Sequence, residues 1–215
     1  MREPEALPLQ RLPRQTLHHA WAPKLGRTIV LNSTGQLRLW AMLEANPGVT
    51  RYCERPAWPG EVPPPRSPDF WALRNGAPVW LVLESAAEHS DEPAPVADGP
   101  ALQTVTAYDL DRHDIWIRNW LSLLPYLGSI ALLDGAGPGE PVVEFFRQEA
   151  SFEEAERHFA HHDPMLVRAA VVAGLHQGLL YSSELLVRPW DGRTRVVRCP
   201  RLPAHAPQRS PRAAG

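Results

Sequence analysis

Lysine is almost missing from this chain of 215 residues: of its 22 basic side chains only Lys24 is a lysine, and the rest are arginine. Any chemistry that needs an ammonium group therefore has one candidate. Cysteine is nearly as scarce. Cys53 and Cys199 lie far apart, which leaves neither a CxxC site nor a disulfide framework, and a reduced cytoplasm is the expectation. No run is apolar enough for a membrane span. The best stretch, Leu121 to Leu133, is interrupted by Pro125 and Gly128 and falls well short of the ~20 residues required. The opening MREPEALPLQRLPRQ mixes both charge signs with prolines and shows no apolar leader core. Nor is either charge in excess. Acidic side chains number 24, the formal net charge is -2 and the pI is near 6.5, so nothing in the overall balance attracts phosphate.

What the chain does have is proline, 24 residues against a usual share of ~5%, so many segments are expected to be loops. A hydrophobic content of 44% is enough to build a core. Residues 1–26 read as a poorly ordered arm. From Ser33 to Asn46 the pattern STGQLRLWAMLEAN reads as a helix, with Ser33 as N-cap, Pro47-Gly48 as its stop and Gln36, Leu39, Trp40 and Leu43 on one face. Strand-like runs follow at Val49–Arg55, Asp69–Leu73 and Val79–Glu84, the last two joined by the tight-turn pair Asn75-Gly76. The acidic, proline-rich stretch 86–101 reads as a solvated loop, and Leu102–Thr106 completes a small mixed sheet.

The second half changes character. Ile115–Leu124 is a helical run, and Ser151 to Glu154 is a capping box opening a helix to about His161. Asp163-Pro164 starts another helix that runs to Gln177 and stops at Gly178. LLVRPW and RTRVVR flank Asp191-Gly192, a hairpin signature. Three helices and a hairpin suggest a winged-helix-like unit over 108–198. The Arg-, Pro- and Ala-rich tail 199–215 is expected to be disordered.

Chemistry concentrates at Ser67-Pro68-Asp69-Phe70. An acid at the start of one strand of a hairpin, with a second acid on the next, is how many nucleases hold a divalent metal. Two carboxylates bind magnesium, which polarises a phosphate and generates hydroxide. A lysine beside the second acid positions the water and stabilises charge.

The neighbouring residues carry a resemblance. Lys24-Leu-Gly-Arg27 through Ser33, then Gln36, Leu43-Glu-Ala-Asn-Pro-Gly-Val49, Arg55-Pro56 and Pro68-Asp69-Phe70 resemble the TnsA-like transposon endonucleases. Thr106, Asp109-Leu110, Asn119 and Leu124, and later Gly178 to Leu185, continue it, so that it covers roughly 24–190. The resemblance implies an α/β fold: a restriction-endonuclease-like mixed sheet of the PD-(D/E)xK type with a flanking helix at 27–107, followed by the helical unit. It implies a component of a bacterial DNA transposition apparatus that cuts 5′ ends beside a transposase subunit, with an AAA-ATPase regulator as a further partner. By the same resemblance Asp69 and Glu84 would bind magnesium, and Gln36 would orient the water.

The departures matter as much. Gln36 stands where the family's helix carries a catalytic glutamate, and an amide is a poor magnesium ligand. Where the family has acid-x-Lys, this chain reads Leu83-Glu84-Ser85-Ala86. Glu84 is one step out of register, and on a strand would face the opposite side. Arg66 or Arg74 could stand in for the lysine, and Glu54, Glu61 or Glu88 for the acid. An inactive or weak nuclease centre is the expectation.

Three other signals complete the reading. His158 and His162 are i,i+4 neighbours beside His161, Asp163 and His176, which as a zinc site would make a metallohydrolase; a solvated helix end competes with it. The stretch MLVRAAVVAGLHQ is a core helix rather than one that reads base edges. Arg188, Arg193, Arg195 and Arg198 are candidates for non-specific phosphate contact. The alternative to the transposition reading is a non-enzymatic adaptor that docks a partner protein through its C-terminal helices.

Overall fold

The computed structural model describes residues 3–9, 16–59, 66–84, 102–131 and 139–200. Ser33 turns the chain into its first helix, α1 (Thr34–Ala45): its hydroxyl accepts the Gln36 N–H and satisfies one of the orphan donors of the first turn. The expected inner face holds, with Gln36, Leu39, Trp40 and Leu43 all buried. Asn46 closes the helix, and its side-chain carbonyl accepts the Gly48 N–H at 2.9 Å.

Strands β3 (Val49–Glu54), β4 (Phe70–Arg74), β5 (Ala77–Leu83) and β6 (Leu102–Val105) form one sheet in that order. The first three are antiparallel and β6 runs parallel to β5. The β4–β5 turn is left-handed at both central residues, Asn75 with φ 51° and Gly76 with φ 78°, the requirement that an Asn-Gly pair meets. Alternation gives the sheet two apolar faces. Tyr52, Phe70, Ala72 and Leu81 join the main core. Cys53, Trp71 and Trp80 form a second cluster with Trp58, Leu73 and Leu102, and the Trp58 and Trp80 rings meet edge to face at 5.1 Å.

The arm expected over 1–26 ends in structure. β1 (His18–Ala22) pairs antiparallel with β2 (Arg27–Leu31). This hairpin places Ala22, Ile29 and Leu31 in the core. Residues 5–7 are also tied down, because Ala57 N–H donates to Glu5 O and Leu7 N–H to Arg55 O.

Three helices lie between β6 and the capping box at Ser151. α2 (Ala107–Arg112) opens on a reciprocal Thr106–Asp109 box, and α3 (Asp114–Ala131) continues through Pro125, whose side chain is exposed. Ile117, Trp120, Leu123, Leu124 and Leu127 make the buried stripe of α3. After α4 (Gly139–Phe145), a short strand β7 (Ala150–Ser151) leads into α5 (Phe152–His158) and α6 (Pro164–His176). Helix α6 is buried on most of its circumference, from Val167 to Leu175, as a core helix should be. Gly178 stops it at φ 72°, packed against Pro47.

The C-terminal hairpin exists but not where the Asp191-Gly192 signature put it. Its strands are β8 (Leu180–Tyr181) and β9 (Arg195–Arg198), and β9 also pairs with β7 to give the order β7-β9-β8. LLVRPW is not a strand; it contains a 3-10 turn at Glu184–Leu186. The reason is Asn119 on α3. Its buried amide donates to Leu185 O at 2.9 Å and Arg188 O at 2.8 Å, and its carbonyl accepts the Trp190 N–H at 3.0 Å. Those backbone groups are thereby removed from any ladder.

One core cluster extends from Ala22 to Val196 and takes residues from both halves of the chain. Among the described residues no helix is long and apolar enough to cross a membrane. The solvated loop expected at 86–101 and the tail from residue 201 lie outside the described residues.

Candidate functional site

Asp69 sits at the mouth of β4, where its own N–H donates to Leu81 O and its carbonyl accepts the Arg55 N–H. Each oxygen of its carboxylate accepts from a neutral donor. Oδ1 accepts Gln36 Nε2 at 2.8 Å, and Oδ2 accepts the backbone N–H of Leu83 at 2.7 Å. Two of the residues singled out in the sequence, Gln36 and Asp69, are thus in direct contact although 33 positions apart in the chain. Gln36 is buried, and the direction of its amide is fixed: Oε1 accepts the Asn32 N–H at 3.0 Å, so only the NH2 end can face Asp69.

Glu84 does not join them. It is exposed just beyond β5, and its backbone N–H donates to Val105 O at 2.9 Å. The side chain over the first turn of α1 is that of Leu83: a Cβ added to Gly35 would lie 3.5 Å from Leu83 Cδ1. Strand alternation therefore points Leu83 at the site and Glu84 away from it. The possible replacements fare no better. Glu54 is buried and locked to Arg27 in a bidentate pair of 2.8 and 2.6 Å. Arg66 donates to Leu83 O, and Arg74 to Gln103. Glu61 and Glu88 lie outside the described residues.

A magnesium ion would need near-octahedral oxygen ligation, usually from more than one carboxylate or from carboxylate and substrate oxygens. Here one carboxylate faces an amide N–H and a leucine side chain. The described residues do not fit the ion, and among them no group of three or more His, Cys, Asp or Glu side chains could hold a metal.

The arginines named for phosphate contact mostly have carboxylate partners. Arg188 is paired with Glu184, Arg198 with Glu144, and Arg195 with Glu154 at 2.7 Å and Glu149 at 3.4 Å. The Arg195 and Arg188 donors hold the Glu184 carboxyl below its ordinary value, the Arg195 backbone N–H most of all. Arg193 is exposed, and its backbone N–H donates to Asp191. Of the four, Arg193 is the one whose side chain is not paired with a carboxylate among the described residues. The histidines do not converge either: His158 lies over Phe145 and meets Phe159 edge to face, His161 and His162 are neighbours at a tilt, and His176 points into the core.

That last histidine belongs to a network that the sequence reading missed. Glu44 on α1 is completely buried. Its Oε1 accepts the Tyr52 hydroxyl at 2.5 Å, its Oε2 meets His176 Nε2 at 2.8 Å, and the Lys24 backbone N–H approaches at 3.4 Å. Trp40 Nε1 in turn donates to the Tyr52 oxygen at 2.8 Å. Burial, then Glu44, pushes the Tyr52 phenol far above its ordinary value. Lys24 Nζ donates to Leu43 O and Asn46 O, both at 2.6 Å, capping the C-terminal end of α1. Burial brings this ammonium down to about 8 against the opposing pull of Glu44. The one signal available in the sequence was a glutamate among the apolar residues of a helix.

No protein-family model matches the chain, and no curated protein matches it.

Proposed function

We propose that the chain is a TnsA-like component of a bacterial DNA transposition apparatus, with an impaired 5′-end-cutting centre and a structural role beside a transposase subunit. The observation that carries this reading is the Gln36–Asp69 contact at 2.8 Å. At the two positions where the resemblance places a helix acid and a strand acid, this chain brings the side chains together but presents an amide donor to the carboxylate. The pair holds α1 against β4 and supplies no second charge for a metal. The element order supports the restriction-endonuclease-like reading: a helix, three antiparallel strands and a fourth strand parallel to the third. The winged-helix-like reading is supported by a short strand before a helix pair and a closing hairpin, in the order β7-β9-β8.

The role that fits is to hold a partner and the DNA ends, with an AAA-ATPase regulator as a further partner, rather than to cut. Titration with magnesium and manganese by calorimetry, alongside plasmid nicking, tests it on the wild type and on Asp69→Ala. Neither protein is expected to bind metal or nick. Metal-dependent nicking that Asp69→Ala abolishes would overturn the reading. An adaptor without any link to DNA is the second reading, favoured by the exposed side chains Tyr181, Leu186 and Val187 around the β8 end. The two part on one result: the adaptor binds its partner equally with and without DNA ends.

A further inference from the structure

Residues 3–7, Glu3-Pro4-Glu5-Ala6-Leu7, run antiparallel to the chain that leaves β3. Ala6 faces Pro56 in a bridge flanked by two main-chain bonds, Leu7 N–H to Arg55 O at 2.8 Å and Ala57 N–H to Glu5 O at 2.9 Å. Pro56 thus sits where the ladder calls for no N–H. Arg55 shapes this edge. Its backbone is left-handed, with φ 45°, a conformation uncommon for a residue with a side chain. Bonds on both sides keep it there: its N–H donates to Asp69 O, and its carbonyl accepts Leu7 N–H. Its guanidinium spans the same seam, with Nη1 donating to Val30 O at 2.6 Å and Nε to Leu7 O at 3.3 Å. The side chains of Ala6 and Leu7 are exposed, and the ion pair of Glu3 with Arg51 at 2.9 Å lies at the surface. Between the segment and the body is a cavity of about 300 Å³, lined by Glu3, Pro4 and Ala6 on one side and by Lys24, Arg27 and Arg51 on the other. The segment is therefore seated by its backbone and one charge pair more than by packing.

We propose that this edge docks an extended acidic segment of a partner protein, and that residues 3–7 are its stand-in within the chain. Main-chain bonds of this kind accept any extended segment, so selection falls to the charge at Arg51. A partner segment takes the same two backbone bonds, places a carboxylate on Arg51, and can put larger side chains than Pro4 and Ala6 into the cavity. That extra contact is what displacement requires, because the resident segment is tethered and its effective concentration is high.

The probe is the end-blocked peptide EPEALPL, the chain's own residues 3–9, titrated to millimolar concentration into the full chain while amide NMR shifts are read at Arg51, Arg55 and Ala57. Because the tethered segment competes, the full chain is also made as Glu3→Arg with Leu7→Pro, which removes the ion pair and the Leu7 N–H. Both side chains are exposed, so this variant is expected to fold, and Glu3→Arg alone is the second variant. The peptide is expected to bind the double variant about tenfold more tightly than the wild type. Replacing the peptide's first glutamate by arginine should weaken that binding about threefold or more, and Arg51→Glu made with Leu7→Pro should reverse the preference. No shift at the three residues in either variant overturns the docking edge. Equal binding of the two peptides overturns the acidic partner. A wild-type dimer by light scattering that the double variant dissolves makes a second copy's segment the occupant, and also overturns it.

Discussion

Glu44 is the residue on which the middle of the molecule turns. A fully buried carboxylate is tolerated only when donors surround it, and removing one donor leaves a costly charge. Tyr52→Phe takes away the hydroxyl at 2.5 Å and also leaves Trp40 Nε1 without its acceptor. Urea denaturation should show a loss of about 2–3 kcal/mol, where an isolated surface tyrosine would show none. Lys24 beside it gives a pH dependence of definite sign. Its folded value of about 8 lies below the ordinary 10.5, so between those values the unfolded chain holds a proton that the folded chain has released. The penalty from burying this ammonium is therefore complete below pH 8 and fades as pH rises towards 10.5. Tyr52 and Cys53, both raised by burial, act in the opposite direction above their own ordinary values. Comparing urea midpoints of wild type and Lys24→Met at rising pH separates the two signs. The wild type should gain on the variant from about pH 8 to about pH 10.

At the scale of elements, Asn119 decides the path of the chain after α6. One amide holds three backbone groups of residues 185–190. Asn119→Ala should cost about 3 kcal/mol, and hydrogen exchange at residues 185–190 should rise first. Here the sequence also shows what it can and cannot convey. Ser33, Asn75-Gly76, Ser151 and Asp163 were legible because each acts on a neighbour within a few residues: a cap, a turn, a first-turn proline. α3 was read too short because Pro125 looks like a stop, whereas on an exposed face its missing N–H can be absorbed by solvent. The β1–β2 hairpin escaped notice because few of its residues face the core. LLVRPW was misread because the group that prevents it from being a strand lies about seventy residues earlier. The site divides the same way. Asp69 and Gln36 were found through the order of motifs along the chain, and Glu84 was read as one step out of register, but that the Gln36 amide bonds directly to Asp69 depends on how α1 packs beside β4, which no local signal fixes. Glu44 and His176, 132 residues apart, could not have been paired at all.

For the whole molecule, the continuous core from Ala22 to Val196 and the Glu44–His176 bond across it make the two halves energetically one body. Thermal unfolding followed by near-ultraviolet signals from the aromatic side chains and by far-ultraviolet signals from the helices should give coincident curves. Two separated midpoints would mean that the halves hold independently. In the C-terminal part Arg195 binds Glu149 and Glu154 across elements, and Arg198 reaches α4.

The second face of the sheet supplies a further property of the molecule as a whole. Trp58 and Trp80, held edge to face at 5.1 Å, are close enough for their excited states to mix. Two such coupled chromophores rotate polarised light as a pair, with a signed doublet that neither indole gives alone. Because Trp58 comes from the segment leaving β3 and Trp80 from β5, that doublet is expected to report on the distance between them and to weaken steeply as they separate.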